Sequence, residues 1–131
     1  MPGDLTGFRF DDARIATEPG DLIVRVPAEV LQREPFFRWL AHELQLPDYF
    51  GGNWDALEEC LRDLSWLRKT RRVMLEHADV PFRPDSANRR TYLQILRDIA
   101  QPGSSPAIPV LAVFPTATRE TIAAELANSD R

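Results

Sequence analysis

The chain has 131 residues, of which 44% are hydrophobic and 27% charged. This length suits one domain with one core, and the composition excludes a wholly disordered chain. No apolar run is long enough to cross a bilayer, and the N-terminus lacks the pattern of a signal peptide, so we expect no membrane partner. The single cysteine, Cys60, cannot form an intramolecular disulfide, which favours the reducing cytoplasm.

The net charge of −4 is unevenly distributed along the chain. Residues 48–63 hold one basic and five acidic side chains, whereas residues 64–131 hold ten basic and seven acidic ones. A negative field concentrated in so short a segment steers basic partners towards it. The same field disfavours nucleic acid binding at that segment.

The first half of the chain predicts one strand and two helices. Residues 1–20 show no pattern to which we assign structure. The β-branched run Leu22–Val26 predicts a strand. Apolar residues at helical spacing then predict a helix over residues 34–44. A second helix is predicted to begin after the N-cap Asn53 and to run to about Trp66.

The second half of the sequence first predicts a strand over Val73–Glu76 and a helix that is capped by Asp85 or Ser86 and runs to Ala100. A loop over Pro102–Pro106 and a strand over Ile108–Phe114 follow. The last predicted element is a helix that is capped by Thr116 or Thr118 and ends near Ala127. The last strand is nearly continuous in apolar residues, as is typical of buried parallel sheets. Strands that alternate with helices indicate an α/β fold, in which helices pack against a small parallel sheet.

The second predicted helix has two distinct faces. Its apolar stripe consists of Trp54, Leu57, Leu61 and Leu64, with Cys60 at the edge. Another face carries Asp55, Glu59 and Arg62, flanked by Glu58 and Asp63. The like charges of Asp55 and Glu59, four residues apart, oppose helix formation by roughly 0.2–0.5 kcal/mol. From these acids alone, a solvated helix face and a binding surface both stay open.

The loop before this helix, Tyr49-Phe50-Gly51-Gly52, favours the binding surface. A tyrosine beside carboxylates that can be desolvated is a good interface anchor. Two glycines also let the backbone approach another surface closely. For Phe50 and Trp54 the alternative is packing in the core, which we favour for Trp54.

Catalysis has little support in the sequence. His42 and His77 form no recognised metal or triad spacing, and no glycine-rich phosphate loop is present. Cys60 lies among apolar positions, which is typical of a small core residue. Asp55 and Glu59 resemble a glycosidase acid pair only in type, because an exposed helix face offers no cleft. We therefore expect no enzyme, no metal and no cofactor.

The basic run Arg68-Lys69-Thr70-Arg71-Arg72 has two interpretations. It is either a contact for nucleic acid or a solvated loop that keeps the chain soluble. We favour the solvated loop and expect no nucleic acid partner.

The block LPDYFGGNWDALEECLRDL, residues 46–64, closely resembles the barstar family of intracellular ribonuclease inhibitors. The family pattern is Leu-Pro-x-Tyr-aromatic-Gly-x-Asn-x-Asp-Ala-Leu followed by Cys-Leu. Weaker similarity extends over residues 22–114. We expect a single barstar-like domain with its core in that range, an N-terminal extension over residues 1–20 and a C-terminal helix within residues 115–131.

The resemblance implies a three-stranded parallel sheet flanked by helices and a monomer that is not an enzyme. It implies an inhibitor that blocks the active site of a small, basic, extracellular ribonuclease of the guanyl type and protects the producing cell from within its cytoplasm. We expect a contact surface made of Tyr49, Phe50, Gly51, Asn53, Asp55, Glu58, Glu59 and Arg62. An alternative is an immunity or regulatory protein on the same fold for a toxin that is not a ribonuclease.

Glu59 stands where the family usually has the Asp that occupies the phosphate site of the nuclease. Its extra methylene moves the carboxylate outward by about 1.5 Å. Because buried charge pairs are sensitive to such shifts, we expect a different nuclease or a shifted docking. We also expect Asp55→Ala and Glu59→Ala to weaken binding far more than Arg72→Ala.

Overall fold

A parallel sheet lies at the centre of the computed structural model, which describes residue 5 and residues 7–12, 15–48, 50–100 and 108–129. Within these residues the strands are β1 (Phe8–Phe10), β2 (Asp21–Val26), β3 (Arg72–His77) and β4 (Val110–Phe114), in the spatial order β1-β4-β3-β2. The helices are α1 (Arg33–Glu43), α2 (Trp54–Asp63), α3 (Ser86–Ala100) and α4 (Arg119–Ser129), and a 3₁₀ turn over Thr116–Thr118 precedes α4.

One face of the sheet carries the main core. Val24, Leu75 and Ala112 lie side by side in the register of β2, β3 and β4, and all three are buried. Successive strand residues point to opposite faces, so this set defines the face on which the helices pack. The helices contribute Phe36 and Leu40 from α1, Leu57 and Leu61 from α2, Tyr92 and Leu96 from α3, and Ile122 and Leu126 from α4.

The opposite face of the sheet has a smaller cluster made of Ile15, Met74 and Val113. Ile15 belongs to the connection from β1 to β2, which joins the two edges of the sheet. Connections between parallel strands are right-handed, and this one runs in the opposite direction from the helical connections. It therefore passes over the face that the helices leave open.

The expectation of three strands was wrong, because β1 adds a fourth. It pairs in parallel with β4, with Phe8 opposite Ala112 and Phe10 opposite Phe114. The rings of Phe8 and Phe10 lie 5.8 and 6.4 Å from the ring of Phe114. A run of three residues is too short to show a strand pattern, and this one is a strand because the edge of β4 is available to it.

The structure corrects the predicted end of α2 and confirms one of the two predicted caps of α3. α2 ends at Asp63 and not near Trp66, because Leu64 adopts the left-handed conformation with φ 51° and its N–H donates to the Cys60 carbonyl. Asp85 caps α3, and its Oδ1 accepts from the Asn88 N–H at 3.2 Å. The predicted loop over residues 102–106 lies outside the described residues.

α4 is held against α3 by a buried carboxylate. Glu125 is 7% exposed, and its oxygens lie 2.8 Å from Arg89 Nε and 3.7 Å from Arg90 Nη2. The predicted C-terminal helix is therefore confirmed, while the division into a core over residues 22–114 and two extensions stays a prediction. Among the described residues, no helix is long and apolar enough to cross a membrane.

Candidate functional site: the acidic face of α2

The inner side of α2 is fixed in the core. Leu57, Cys60 and Leu61 are each no more than 2% exposed, as the apolar stripe predicted. The predicted N-cap is also confirmed, because Asn53 Oδ1 accepts from the Ala56 N–H at 2.8 Å. With both its inner side and its first turn fixed, α2 presents the opposite side at a defined orientation.

The acidic side of α2 lies at the surface. Asp55 and Glu59 are exposed and, with the half-buried Glu58 and Arg62, line one shallow depression. Arg62 Nε and Nη2 both donate to Glu58 Oε2, at 3.1 and 2.9 Å. Among the residues that the structure describes, the carboxylates of Asp55 and Glu59 form no ion pair. The depression therefore has a net charge of −2, carried by those two groups.

The loop before α2 is only partly available for contact. Tyr49 lies outside the described residues. Phe50 is half-buried, with its ring 5.8 Å from that of Phe37 in an edge-to-face contact, so it belongs in part to the core. Gly51 and Gly52 are exposed, and Gly52 has a φ of 70°, which favours glycine. The exposed backbone of these glycines directly precedes the Asn53 cap of α2.

Trp54 connects α2 to α3. Its ring is half-buried, with its centroid 4.8 Å from that of Phe37 and 5.7 Å from that of Phe82, so it packs on the core as predicted. Its indole Nε1 donates to Asn88 Oδ1 at 2.9 Å. The sequence analysis did not find Asn88, because nothing local in the sequence indicates which polar group meets an indole 34 residues away.

The predicted site residues therefore fall into two groups. Gly51, Asn53, Asp55, Glu58, Glu59 and Arg62 lie together on the loop and the outer side of α2, whereas Phe50 turns its ring towards the core. Their role in partner binding stays a prediction.

His77 is a core residue. It is 6% exposed, and its ring stacks on Phe114 with the centroids 3.9 Å apart. Its Nδ1–H donates to the Val113 carbonyl at 2.9 Å, and its Nε2 accepts from the Tyr92 hydroxyl at 2.7 Å, an assignment that follows because a carbonyl oxygen only accepts. Burial lowers the pKa of His77 to about 4.

Cys60 has the properties of a buried thiol. Burial raises its pKa, and the nearby Glu59 and Asp63 raise it further, which suppresses the reactive thiolate. His42 is exposed at the end of α1. In the described part of the chain, no three histidine, cysteine or acidic side chains are grouped as metal ligands would be.

Half of the positive charge in the basic turn at the beginning of β3, residues 68–72, is neutralised. Arg71 Nη2 and Arg72 Nη2 lie 2.9 and 2.7 Å from the two carboxylate oxygens of Asp21, and Glu18 lies 2.8 Å from Arg71. The Asp21 side chain is 1% exposed. The hydrogen bond from Arg72 is the largest cause that lowers the pKa of Asp21 to about 2. Two of the four cations in this turn are thus tied to one buried carboxylate.

A comparison with known protein families identifies the family of this chain. The family model described as Barstar (barnase inhibitor) matches residues 25–114, a range that contains α2, the loop before it and the strands β3 and β4. Neither the curated proteins nor the solved structures give a match. Because the family model covers well over half of the chain, this protein belongs to the barstar family.

Proposed function

We propose that this protein is an inhibitor that binds a small, basic, extracellular ribonuclease of the guanyl type and blocks its substrate site with α2 and the loop before it. The observation that carries the proposal is the acidic face of α2: the Asp55 and Glu59 carboxylates are exposed and without an ion pair among the described residues, on a helix whose other side is buried. Membership of a family described as barnase inhibitors supports a ribonuclease as the partner.

The proposed mechanism is imitation of the substrate. A ribonuclease holds the phosphates of RNA with basic side chains, and two carboxylates one helical turn apart present negative charge to the same cations. The field of α2 steers the basic nuclease into contact, and ionic hydrogen bonds that lose their water then hold it. Catalysis stops because RNA and the inhibitor compete for one site.

Glu59 supports a partner that differs from the usual nuclease of the family. The shorter acid expected at this position would hold its carboxylate closer to the α2 backbone by about 1.5 Å. The cation that meets Glu59 therefore lies further from α2, either because the nuclease differs or because it docks in a shifted position. We propose that binding takes place in the cytoplasm of the producing cell and that the free inhibitor is a monomer.

The test is a titration of guanyl-type ribonucleases, with barnase as the first probe and nucleases encoded beside this gene as the next. We expect RNA cleavage to fall linearly with added protein and to reach zero at one inhibitor per nuclease. Glu120→Gln, a matched loss of one exposed negative charge on α4, is the control and leaves the titration unchanged.

Absence of stoichiometric inhibition across this panel would overturn the proposed function. Tight binding of a neighbouring toxin with another catalytic domain would then support the alternative, an immunity protein on the same fold. Turnover of a substrate that is lost on changing Asp55 or Glu59 would instead indicate an enzyme.

A further inference from the structure

The hydrogen bond from Trp54 to Asn88 joins α2 to α3. Trp54 is the first residue of α2, and it lies between the N-cap Asn53 and the exposed Asp55. Asn88 lies in the first turn of α3. The bond therefore ties the beginning of the acidic helix to the beginning of its neighbour.

The acceptor of this bond is itself held in one orientation. Asn88 Nδ2 donates to Asp85 Oδ2 at 2.7 Å, and the backbone N–H of Asn88 donates to Asp85 Oδ1 at 3.2 Å. Because the amide nitrogen is committed to Asp85, the amide oxygen faces the Trp54 indole. Asp85 both caps α3 and fixes the group that receives Trp54.

The segment that carries Asp85 is also fixed. The Phe82 N–H donates to the Val30 carbonyl at 2.8 Å, and the Phe82 carbonyl accepts from the Asp85 N–H at 3.0 Å. Phe82 is fully buried and has a φ of 59°, a conformation that a bulky residue adopts only when its surroundings impose it. Its ring meets the Trp54 ring edge to face. The contacts that link Phe82, Asp85 and Asn88 to Trp54 therefore hold the Trp54 side chain in one position.

The contact with Asn88 adds to the Asn53 cap at the beginning of α2. The apolar residues that bury α2, Leu57, Cys60 and Leu61, are in its middle and last turns. Both ends of a helix have free backbone groups and can fray, and the Asn53 side chain satisfies one N–H of this end, that of Ala56. Trp54 is held there by ring packing and by one directed bond, and Asp55 follows it directly.

We infer that Asn88 is a positioning residue for partner binding, which acts through Trp54 to fix the rotation of the first turn of α2 and thereby the direction of the Asp55 carboxylate. This inference rests on the proposed function. Asn88 touches no partner in this role. Its loss leaves the charge of the acidic face unchanged and allows the carboxylate to occupy directions that do not meet the partner's cation.

The test compares wild type, Asn88→Ala, Trp54→Phe and the double variant, with association and dissociation rates measured by stopped flow against the ribonuclease of the panel that binds most tightly, barnase being the first probe. For Asn88→Ala we expect dissociation to accelerate about tenfold. Association stays within about twofold of wild type because no charge changes. In the Trp54→Phe background, Asn88→Ala accelerates dissociation by less than about twofold.

A control variant separates positioning from simple loss of stability. Thr91→Ala removes a hydrogen bond from Oγ1 to the Ala87 carbonyl within α3, without a bond to α2, and leaves both rates unchanged. Hydrogen exchange in the free protein supplies a readout that needs no partner: the Ala56 and Leu57 amides, which bond to Asn53, exchange faster in Asn88→Ala.

An unchanged dissociation rate in Asn88→Ala would overturn the positioning role. So would an equal acceleration in the Trp54→Phe background, or a reduced binding stoichiometry with a wild-type dissociation rate, which marks a folding defect alone. If the wild-type chain binds no ribonuclease of the panel, the proposed function and the positioning role both fall. If it binds, and Asp55→Ala weakens binding while Asn88→Ala does not, only the positioning role falls.

Discussion

The acidic face of α2 and the basic turn at residues 68–72 are both short runs of like charge, but they differ in which of their charges are paired within the fold. In the basic turn, Arg71 and Arg72 pair with the buried carboxylate of Asp21, the first residue of the neighbouring strand β2, which lies directly opposite Arg72. On the acidic face of α2, and within the described part of the chain, Glu58 alone is paired, with Arg62, and Asp55 and Glu59 stay exposed.

The difference teaches that a charge run indicates a binding surface only when the fold leaves the charges without partners of their own. Like charges four residues apart oppose helix formation, so Asp55 and Glu59 do not stabilise α2 by lying together. Asp55 and Glu59 are therefore either solvated or placed for a partner outside the chain. The predictions below test whether the two regions differ in this way.

The largest effect is expected on the acidic face. Asp55→Ala and Glu59→Ala each remove a carboxylate that the proposed complex holds against a cation. We expect each change to weaken binding by ~2–5 kcal/mol, the range general to ionic contacts buried in protein complexes, ribonuclease–inhibitor pairs included. The dissociation constant for the inhibited ribonuclease measures the loss.

The control in the basic turn is Arg68→Ala. Arg72 is unsuitable as a control because it holds Asp21, whereas Arg68 is exposed. We expect Arg68→Ala to change the affinity by less than ~0.5 kcal/mol. Equal losses for Asp55, Glu59 and Arg68 would show that α2 is not the interface.

The second prediction concerns loss of the ion pairs in the basic turn. Asp21→Asn removes the charge that holds Arg72 and one of the two that hold Arg71, so we expect a lower Tm and the appearance of weak RNA binding that falls as salt rises. Thermal unfolding and RNA binding at two salt concentrations measure these changes. Glu120→Gln is the matched loss of one negative charge. A Tm and an RNA affinity equal to those of the control would contradict the pairing.

The third prediction concerns the stability of the protein at low pH. The folded-state pKa of Asp21, about 2, lies below its ordinary value of 3.8, so the folded state favours the ionised carboxylate. The contribution of Asp21 to stability is therefore complete above pH 3.8 and is lost as the pH falls towards 2. Denaturant unfolding of wild type and Asp21→Asn should give free energies that differ at pH 5 and converge near pH 2.

Protonation of His77 changes the stability of the protein in a different pH range. Its folded-state pKa of about 4 lies below the ordinary 6.5, so stability is complete above pH 6.5 and falls as the pH drops towards 4. Both proteins share this loss, which cancels in their difference. A difference between wild type and Asp21→Asn that already disappears at pH 5 would contradict the assignment to Asp21.

The smallest effect is expected for Arg62→Gln. The change frees the Glu58 carboxylate and adds one net negative charge to the acidic face. We expect association with the basic ribonuclease to accelerate by about two- to fivefold and to depend more steeply on salt. Loss of the pair should lower the free energy of unfolding by ~0.3–0.5 kcal/mol.

Arg83→Gln breaks another pair of the same spacing, with Asp79, and is the matched control. It should not alter association. Slower association of Arg62→Gln would show instead that the Arg62 guanidinium itself contacts the partner.

Much of the fold was predictable because its local patterns agree with its packing. The apolar stripe of α2 and its Asn53 cap gave the buried side and the beginning of the helix correctly. Its end was not predictable, because Leu64 ends the helix in a left-handed conformation that leucine rarely adopts and that no local residue indicates. Strand β1 depends on an edge of β4 that only the folded sheet provides.

The candidate site was predictable to a similar extent. The acids of α2 share a face because of helical periodicity, so their juxtaposition needs no tertiary information. The Asp21 pairs in the basic turn and the bond from Trp54 to Asn88 join residues from distant parts of the chain. No local rule supplies such contacts, although they decide which charges remain free and how firmly α2 is held.

The pairing of β1 with β4 has a consequence for the order of events during synthesis. Of the four described strands, β1 is made first, and its only strand partner among them is β4, which is made last. Domains fold as the chain emerges, and contacts between distant segments form slowly. The neighbouring strands β2 and β3 have both emerged before β4 is made, so the sheet can begin at that pair and is completed by the N-terminal edge strand only after translation has passed Phe114.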